Sequence, residues 1–306
     1  MSYKIGIIGC GNVGMSYAYS LVNQVIDVNE IVLIDINKEK TVGKALDLCH
    51  SLAFSRSYIN NISYGDYESI SDVDILCITA GMPQGNKKVS RMEDIEGCNK
   101  IIEEIMENVN KANFRGIILV ASNPLDIMTL KIAKMYNNNF SLVIGTGTLL
   151  DTSRLRYEIA NKLGFPLKSI SGYIFGEHGD SQFVAWSSVK VNKTYDIKDY
   201  LTEKEMLDIE EKVKKDGFEV AKLQGYTCYG VATALSKITR CIINNELEEI
   251  PVSTYDPEKD VYISSLSVIG NTGVIKNKLY NLDSKEQELY DISAKIIKDG
   301  ADSIKI

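Results

Sequence analysis

The feature that most restricts the fold of this chain is Gly9-Cys10-Gly11-Asn12-Val13-Gly14, a GxGxxG set directly after an apolar, β-branched run and at the head of a helical pattern. The triplet alone is weak, since glycines so spaced arise by composition in roughly one chain of ten. Its context gives it force. Gly9 permits the tight turn, Gly11 lets the backbone approach a pyrophosphate at the helix N-terminus, and Gly14 lets the helix that Asn12 and Val13 open pack closely on the sheet. About twenty residues on, at the end of the second apolar run, stands Asp35. A carboxylate there accepts hydrogen bonds from ribose hydroxyls and repels a 2′-phosphate, so NAD is favoured over NADP, although Lys38 and Lys40 follow it.

Around this motif, short apolar runs alternate with helical spacing. Lys4–Ile8, Glu30–Ile34, Ile59–Tyr64, Asp74–Thr79, Gly116–Ala121 and Leu142–Ile144 read as strands, several apolar throughout and so buried on both faces. Val13–Val25, Lys40–Phe54, Asp94–Lys111 and Asp126–Met135 read as helices. The alternation predicts an α/β fold, a doubly wound parallel Rossmann sheet over residues 1–145. From 146 to 306 the pattern becomes α+β. Helices are expected over Asp151–Leu163, Glu203–Leu223, Tyr226–Asn244 and Ser284–Asp299, and strands over Ile170–Phe175, Phe183–Val191, near Val252–Tyr255 and over Tyr262–Ile275. The site is expected in the crevice between the two parts.

Composition excludes several classes of function. A net charge of −7 with no basic run argues against nucleic-acid binding. Six scattered cysteines without a CxxC pair read as reduced, mostly buried thiols, with no metal site. No signal peptide and no membrane-spanning run is evident, so a cytoplasmic location is expected.

The chain has two histidines. His50 lies on a predicted helix and reads as structural, whereas His178 sits in Gly176-Glu177-His178-Gly179-Asp180-Ser181, a polar turn whose glycines admit a substrate. Asp151-Thr152-Ser153-Arg154 opens a helix at the junction. Asp151 could simply complement the helix dipole, but a cation in the first turn, Arg154, is unfavourable there and calls for an anion.

With these residues in place the resemblance becomes specific. GCGNVG with Asp35, Ala80-Gly81 before a polar loop, Ser122-Asn123-Pro124, Gly145-Thr146-Gly147 with LDTSRLR, and GEHGDS occur in the order seen in the L-lactate and malate dehydrogenase family, along nearly the whole chain. The resemblance implies an NAD-dependent dehydrogenase of small 2-keto and 2-hydroxy acids, with Ala80 and Gly81 in the coenzyme site. Arg154 would grip the substrate carboxylate, His178 would exchange the proton, and Asp151 would orient the ring. Arg91 would polarise the carbonyl from a closing lid, Asn123 would touch substrate and coenzyme, and Thr227 would line the pocket. A homo-oligomer, a tetramer, and a glycolytic role are implied as well.

Gln84 matches the lid position where malate enzymes carry an arginine, so a second carboxylate would be left unpaired and pyruvate favoured. Malate dehydrogenase therefore ranks third, although Lys87 and Lys88 lie in the same loop. The span from Gln84 to Arg91 is one residue longer than in the common lactate pattern. That length, with Ser171-Gly172-Tyr173, Gln182–Ser187 and Gly225–Gly230, resembles L-2-hydroxyisocaproate dehydrogenases, the runner-up. Ser171 stands where enzymes activated by fructose 1,6-bisphosphate carry a histidine, although Arg156 keeps their arginine, so little activation is expected. A non-catalytic nucleotide-binding protein is the alternative from another class.

Overall fold

The computed structural model describes residues 2–82 and 91–306. Strands and helices alternate through the first half: β1 (Tyr3–Ile8), α1 (Asn12–Val22), β2 (Val28–Ile34), α2 (Lys38–Ser51), β3 (Asn61–Tyr64), β4 (Ile75–Ile78), α3 (Arg91–Lys111), β5 (Ile117–Val120), α4 (Leu125–Met135) and β6 (Val143–Gly145). Parallel pairing sets the order β3-β2-β1-β4-β5-β6. All four residues of β4 and of β5 are buried, as a sheet covered by helices on both faces requires. The direction of winding reverses between β1 and β4, so the loops leaving their C-terminal ends diverge and open a crevice.

The second half comprises α5 (Leu149–Leu163), β7 (Ile170–Phe175), β8 (Phe183–Val191), β9 (Tyr195–Asp196), α6 (Glu203–Gln224), α7 (Tyr229–Ile243), β10 (Glu248–Asp256), β11 (Val261–Gly270), β12 (Gly273–Lys276) and α8 (Ser284–Ser303). β7, β8 and β9 form a separate antiparallel sheet.

β10, β11 and β12 instead extend the first sheet. β10 runs antiparallel to β6, Ser253 opposite Gly145, giving one sheet ordered β12-β11-β10-β6-β5-β4-β1-β2-β3. β6 is buried throughout and would otherwise leave an apolar edge unpaired. α7 packs on α1, where the Tyr17 hydroxyl lies 2.6 Å from Thr239 Oγ1 and Ser236 Oγ donates to Ser20 Oγ at 2.9 Å. The two halves thus share a sheet and a helix interface, which fixes the crevice walls.

Several boundaries differ from the sequence reading, among them the helix expected from Asp151, which starts at Leu149, and two have a clear local cause. The run expected as one strand to Ile275 is broken into β11 and β12 at Asn271 and Thr272. Gly273 there has φ +92, and a Cβ on it would lie 2.1 Å from the Ser141 carbonyl oxygen. The helix expected from Tyr226 starts at Tyr229, because Gly225 ends α6 in the left-handed conformation at φ +89.

Candidate active site

The glycine loop leaves β1 at the crevice. Gly9 has φ +95, and a Cβ there would stand 2.6 Å from the backbone nitrogen of Ala80; one on Gly14 would stand 2.1 Å from the Gly9 oxygen. A Cβ on Gly11 would meet nothing within 4 Å. α2, α6 and α8 are capped by the side chains of Asn37, Thr202 and Asp283, whereas the first turn of α1 has neither a side-chain cap nor an acidic residue. Its free N–H groups therefore face the open space above Gly11, a cradle that fits a diphosphate.

Asp35 braces this loop from the end of β2. Its Oδ2 accepts the Cys10 N–H at 2.7 Å and its Oδ1 the Asn37 N–H at 2.9 Å. Thr79 Oγ1 donates to the Gly9 oxygen at 2.6 Å, and Lys44 Nζ donates to the Cys10 oxygen. Ala80 and Gly81 follow β4 on the other side of the switch point, and Ser122 Oγ donates to the Ala80 oxygen at 2.5 Å. Asn123, exposed at the end of β5, precedes the cis Asn123–Pro124 peptide. These residues fit the nucleotide expected from the motif.

The candidate acid–base residues are assembled by α5 and the loop after β7. In the turn before and the first turn of α5, Thr148 Oγ1 donates to the Ile174 oxygen at 2.5 Å and Thr152 Oγ1 accepts the Ile174 N–H at 3.0 Å, pinning the helix start to β7. Beyond β7, Gly176 turns the chain at φ +93 and pairs with Ser264 of β11 through hydrogen bonds of 3.1 and 3.0 Å. Residue 178 thereby comes to face residue 151. His178 Nδ1 lies 2.8 Å from Asp151 Oδ2, and the other oxygen of Asp151 accepts Arg154 Nη1 at 2.7 Å.

The Asp151 side chain is 3% exposed, against 18% for Arg154 and 29% for His178. Burial pushes the Asp151 carboxyl up, but the charges of His178 and Arg154 outweigh it and hold it below the usual carboxylate range. Burial likewise pulls the His178 ring down, yet Asp151, helped by Asp126, outweighs both that and Arg154, so the ring is raised above an ordinary histidine. An ionised carboxylate can only accept, so Nδ1 carries the proton and Nε2 is the nitrogen left for a reacting partner.

Because α5 begins at Leu149, two residues before the expected start, Arg154 lies in its second turn rather than its first, one turn beyond Asp151, and pairs with it. Among the described residues its hydrogen bond uses Nη1 alone, leaving donors for a second carboxylate. α6 closes over it at Gly217, where an added Cβ would sit 3.4 Å from both Nη atoms. A glycine inside a helix weakens it by about 1 kcal/mol relative to alanine, and its place against Arg154 was not legible in sequence.

Nor was the part played by Asp126, which in sequence is only the first residue of an expected helix. Its Oδ2 accepts the His178 N–H at 2.7 Å and its Oδ1 accepts Ser253 Oγ at 2.5 Å. Since Asp126 lies one turn beyond Asn123, this places His178 at the C-terminal end of β5, by the crevice. Thr227 is half-buried in the turn between α6 and α7, and His50 is exposed in the last turn of α2. Gln84 lies outside the described residues, as does the side chain of Arg91, the first residue of α3. One group of metal-ligating atoms, Cys241, Glu246 and Glu248, occurs among the described residues, but Arg240 pairs with Glu246 at 2.9 Å and Lys237 with Glu248.

Residues 3–145 match the model of the lactate/malate dehydrogenase NAD-binding domain, and 148–305 that of the lactate/malate dehydrogenase alpha/beta C-terminal domain. L-lactate dehydrogenase 2 of Enterococcus faecalis is 36% identical, covering 96% of this chain and 95% of that one. The L-lactate dehydrogenase of Halalkalibacterium halodurans is 38% identical over 97% of this chain and 96% of its own. The crystal structure of a lactate dehydrogenase from a Medee basin deep-sea metagenome library superposes with a TM-score of 0.94 at 37% identity, over 100% of this chain and 99% of the other.

Proposed function

The chain belongs to the lactate/malate dehydrogenase family, and from that premise we propose that it is an NAD-dependent L-lactate dehydrogenase, interconverting pyruvate and L-lactate. The observation that carries the reading is a single buried carboxylate, Asp151, bonded at once to an acid–base imidazole and to a guanidinium with donors to spare.

When bound, NADH supplies the hydride. Arg154 holds the carboxylate of the 2-keto acid, which fixes the carbonyl relative to His178. Protonated His178 donates from Nε2 to the keto oxygen during reduction and takes the hydroxyl proton back during oxidation. Asp151 fixes the tautomer and stabilises the charged ring. Arg91 polarises the carbonyl, Gln84 disfavours a second carboxylate, and Asn123 and Thr227 border the substrate. Gly9, Gly11 and Gly14, with Asn12 and Val13, hold the diphosphate of NAD, Asp35 its ribose, and Ala80 and Gly81 the far wall. Residues 1–145 serve the coenzyme and 146–306 the substrate.

No helix of the described chain is long and apolar enough to cross a membrane, and a cytoplasmic setting is our reading. A homotetramer is our reading, and self-association is supported by the exposed apolar side chains of Val42 and Leu46 on α2 and of Phe54 in the short helical turn after it, Phe54 at 95%.

Steady-state NADH oxidation against pyruvate, 2-ketoisocaproate and oxaloacetate tests the assignment, with the highest kcat/KM expected for pyruvate. Preference for either other acid would overturn the substrate, and wild-type turnover in His178→Ala would overturn the mechanism.

A further inference from the structure

His178 is held twice. Asp151 takes the ring at Nδ1, and Asp126 takes the backbone N–H of the same residue at 2.7 Å. We propose that Asp126 is a positioning residue for the proton transfer, anchoring the loop that carries His178 and setting a second negative charge beside the imidazole.

Asp126 makes no capping hydrogen bond to its own helix. Asp126 stands in the first turn of α4, yet α4 has no side-chain cap, and both hydrogen bonds of Asp126 leave its own helix. One reaches 52 residues along the chain to the loop after β7, and the other 127 residues to Ser253 of β10. The carboxylate thus stitches the exit of β5, the histidine loop and the added strand of the sheet at one point.

Asp126 is 2% exposed, and burial pushes its carboxyl up to about 6, against the pull of Ser253 and His178. Holding a charge there opposes folding. An asparagine oxygen would accept the same N–H, and its amide could donate to Ser253 Oγ with that bond reversed, so what the carboxylate adds at His178 is charge. The ionisable neighbours facing it are His178 and Glu177. Glu177 is a like charge and gains nothing from it, whereas the imidazolium of His178 is stabilised by it, alongside the N-terminus of α4.

This inference rests on His178 being the proton donor of the reaction proposed above. The test compares Asp126→Asn and Asp126→Ala in the full-length enzyme. Asp126→Asn keeps the shape and the acceptor for the His178 N–H, reverses the bond to Ser253 and removes the buried charge, so its melting temperature at pH 7.5 should not fall below wild type. NADH affinity and the KM for pyruvate should stay within about twofold. The alkaline limb of kcat/KM for pyruvate reduction should move down by about half a pH unit, because His178 loses a charge that favours its protonated form. Asp126→Ala, which also frees the loop, should lose roughly a further tenfold in kcat.

An alkaline limb in Asp126→Asn that coincides with wild type overturns the inference, as does loss of activity only in proportion to unfolded protein. If Asp126→Ala does not fold, the limb of Asp126→Asn decides alone. A wild type inactive on pyruvate, or an active His178→Ala, would instead bring down the underlying mechanism. Activity that depends on His178, with an unmoved limb in Asp126→Asn, brings down this inference alone.

Discussion

Asp151 Oδ2 and His178 Nδ1 lie 2.8 Å apart although 27 residues separate them in sequence. Their coupling raises the pKa of the ring above the ordinary imidazole value and lowers that of the carboxyl. In the mechanism proposed above, pyruvate reduction needs the charged ring, so its kcat/KM should hold at pH values above those of a free histidine and fall as pH rises through the raised pKa. Lactate oxidation needs the neutral ring and should rise through the same interval. Asp151→Asn should lower kcat roughly 10²- to 10⁴-fold and carry both limbs to lower pH. Initial rates in both directions from pH 5.5 to 9.5 check this, and limbs that stay in place would remove Asp151 from the role.

Gly217 leaves a bare backbone against Arg154, with room for a methyl group at van der Waals distance and for little more. Gly217→Val should therefore displace the guanidinium and raise the KM for pyruvate roughly tenfold. NADH affinity, measured by fluorescence quenching, should remain unchanged. Equal loss of both would indicate a general disturbance of α6 instead.

In the function proposed above, Gln84 would present no charge to a second carboxylate. Gln84→Arg should shift the ratio of kcat/KM for oxaloacetate over pyruvate upward by roughly 10²-fold or more, since a desolvated, unpaired carboxylate becomes paired. An unchanged ratio would show that another residue of the 84–91 segment occupies the discriminating position.

Arg156 donates from Nε and Nη2 to the Gly172 oxygen at 3.2 and 3.1 Å and lies 5.5 Å from the centre of the Tyr173 ring. Ser171, with a hydroxyl that donates to the Lys190 oxygen at 3.3 Å, offers no cation beside it. Fructose 1,6-bisphosphate should leave the half-saturating pyruvate concentration within about twofold. A large drop on its addition would show that Arg156 can be recruited despite these bonds.

Sequence alone carried a large part of this protein. Runs such as Ile75-Leu76-Cys77-Ile78 admit a buried parallel strand because no polar face remains to turn toward water. The strand, turn and helix around Gly9, Gly11 and Gly14 were legible because each glycine answers a local backbone demand. The candidate site residues stood out as residue types in unusual settings, a histidine in a glycine-rich turn and an arginine close to a predicted helix start, although α5 begins two residues earlier and leaves Arg154 in its second turn. What tertiary structure alone decided were the long-range hydrogen bonds. That β10 continues the sheet beyond β6, that Asp126 bonds His178 rather than its own helix, and that α6 lays Gly217 on Arg154 follow from partners 52 or more residues apart. Periodicity and local propensity constrain only neighbours within a few turns of chain, whereas the partner of a buried carboxylate is chosen by how whole elements pack.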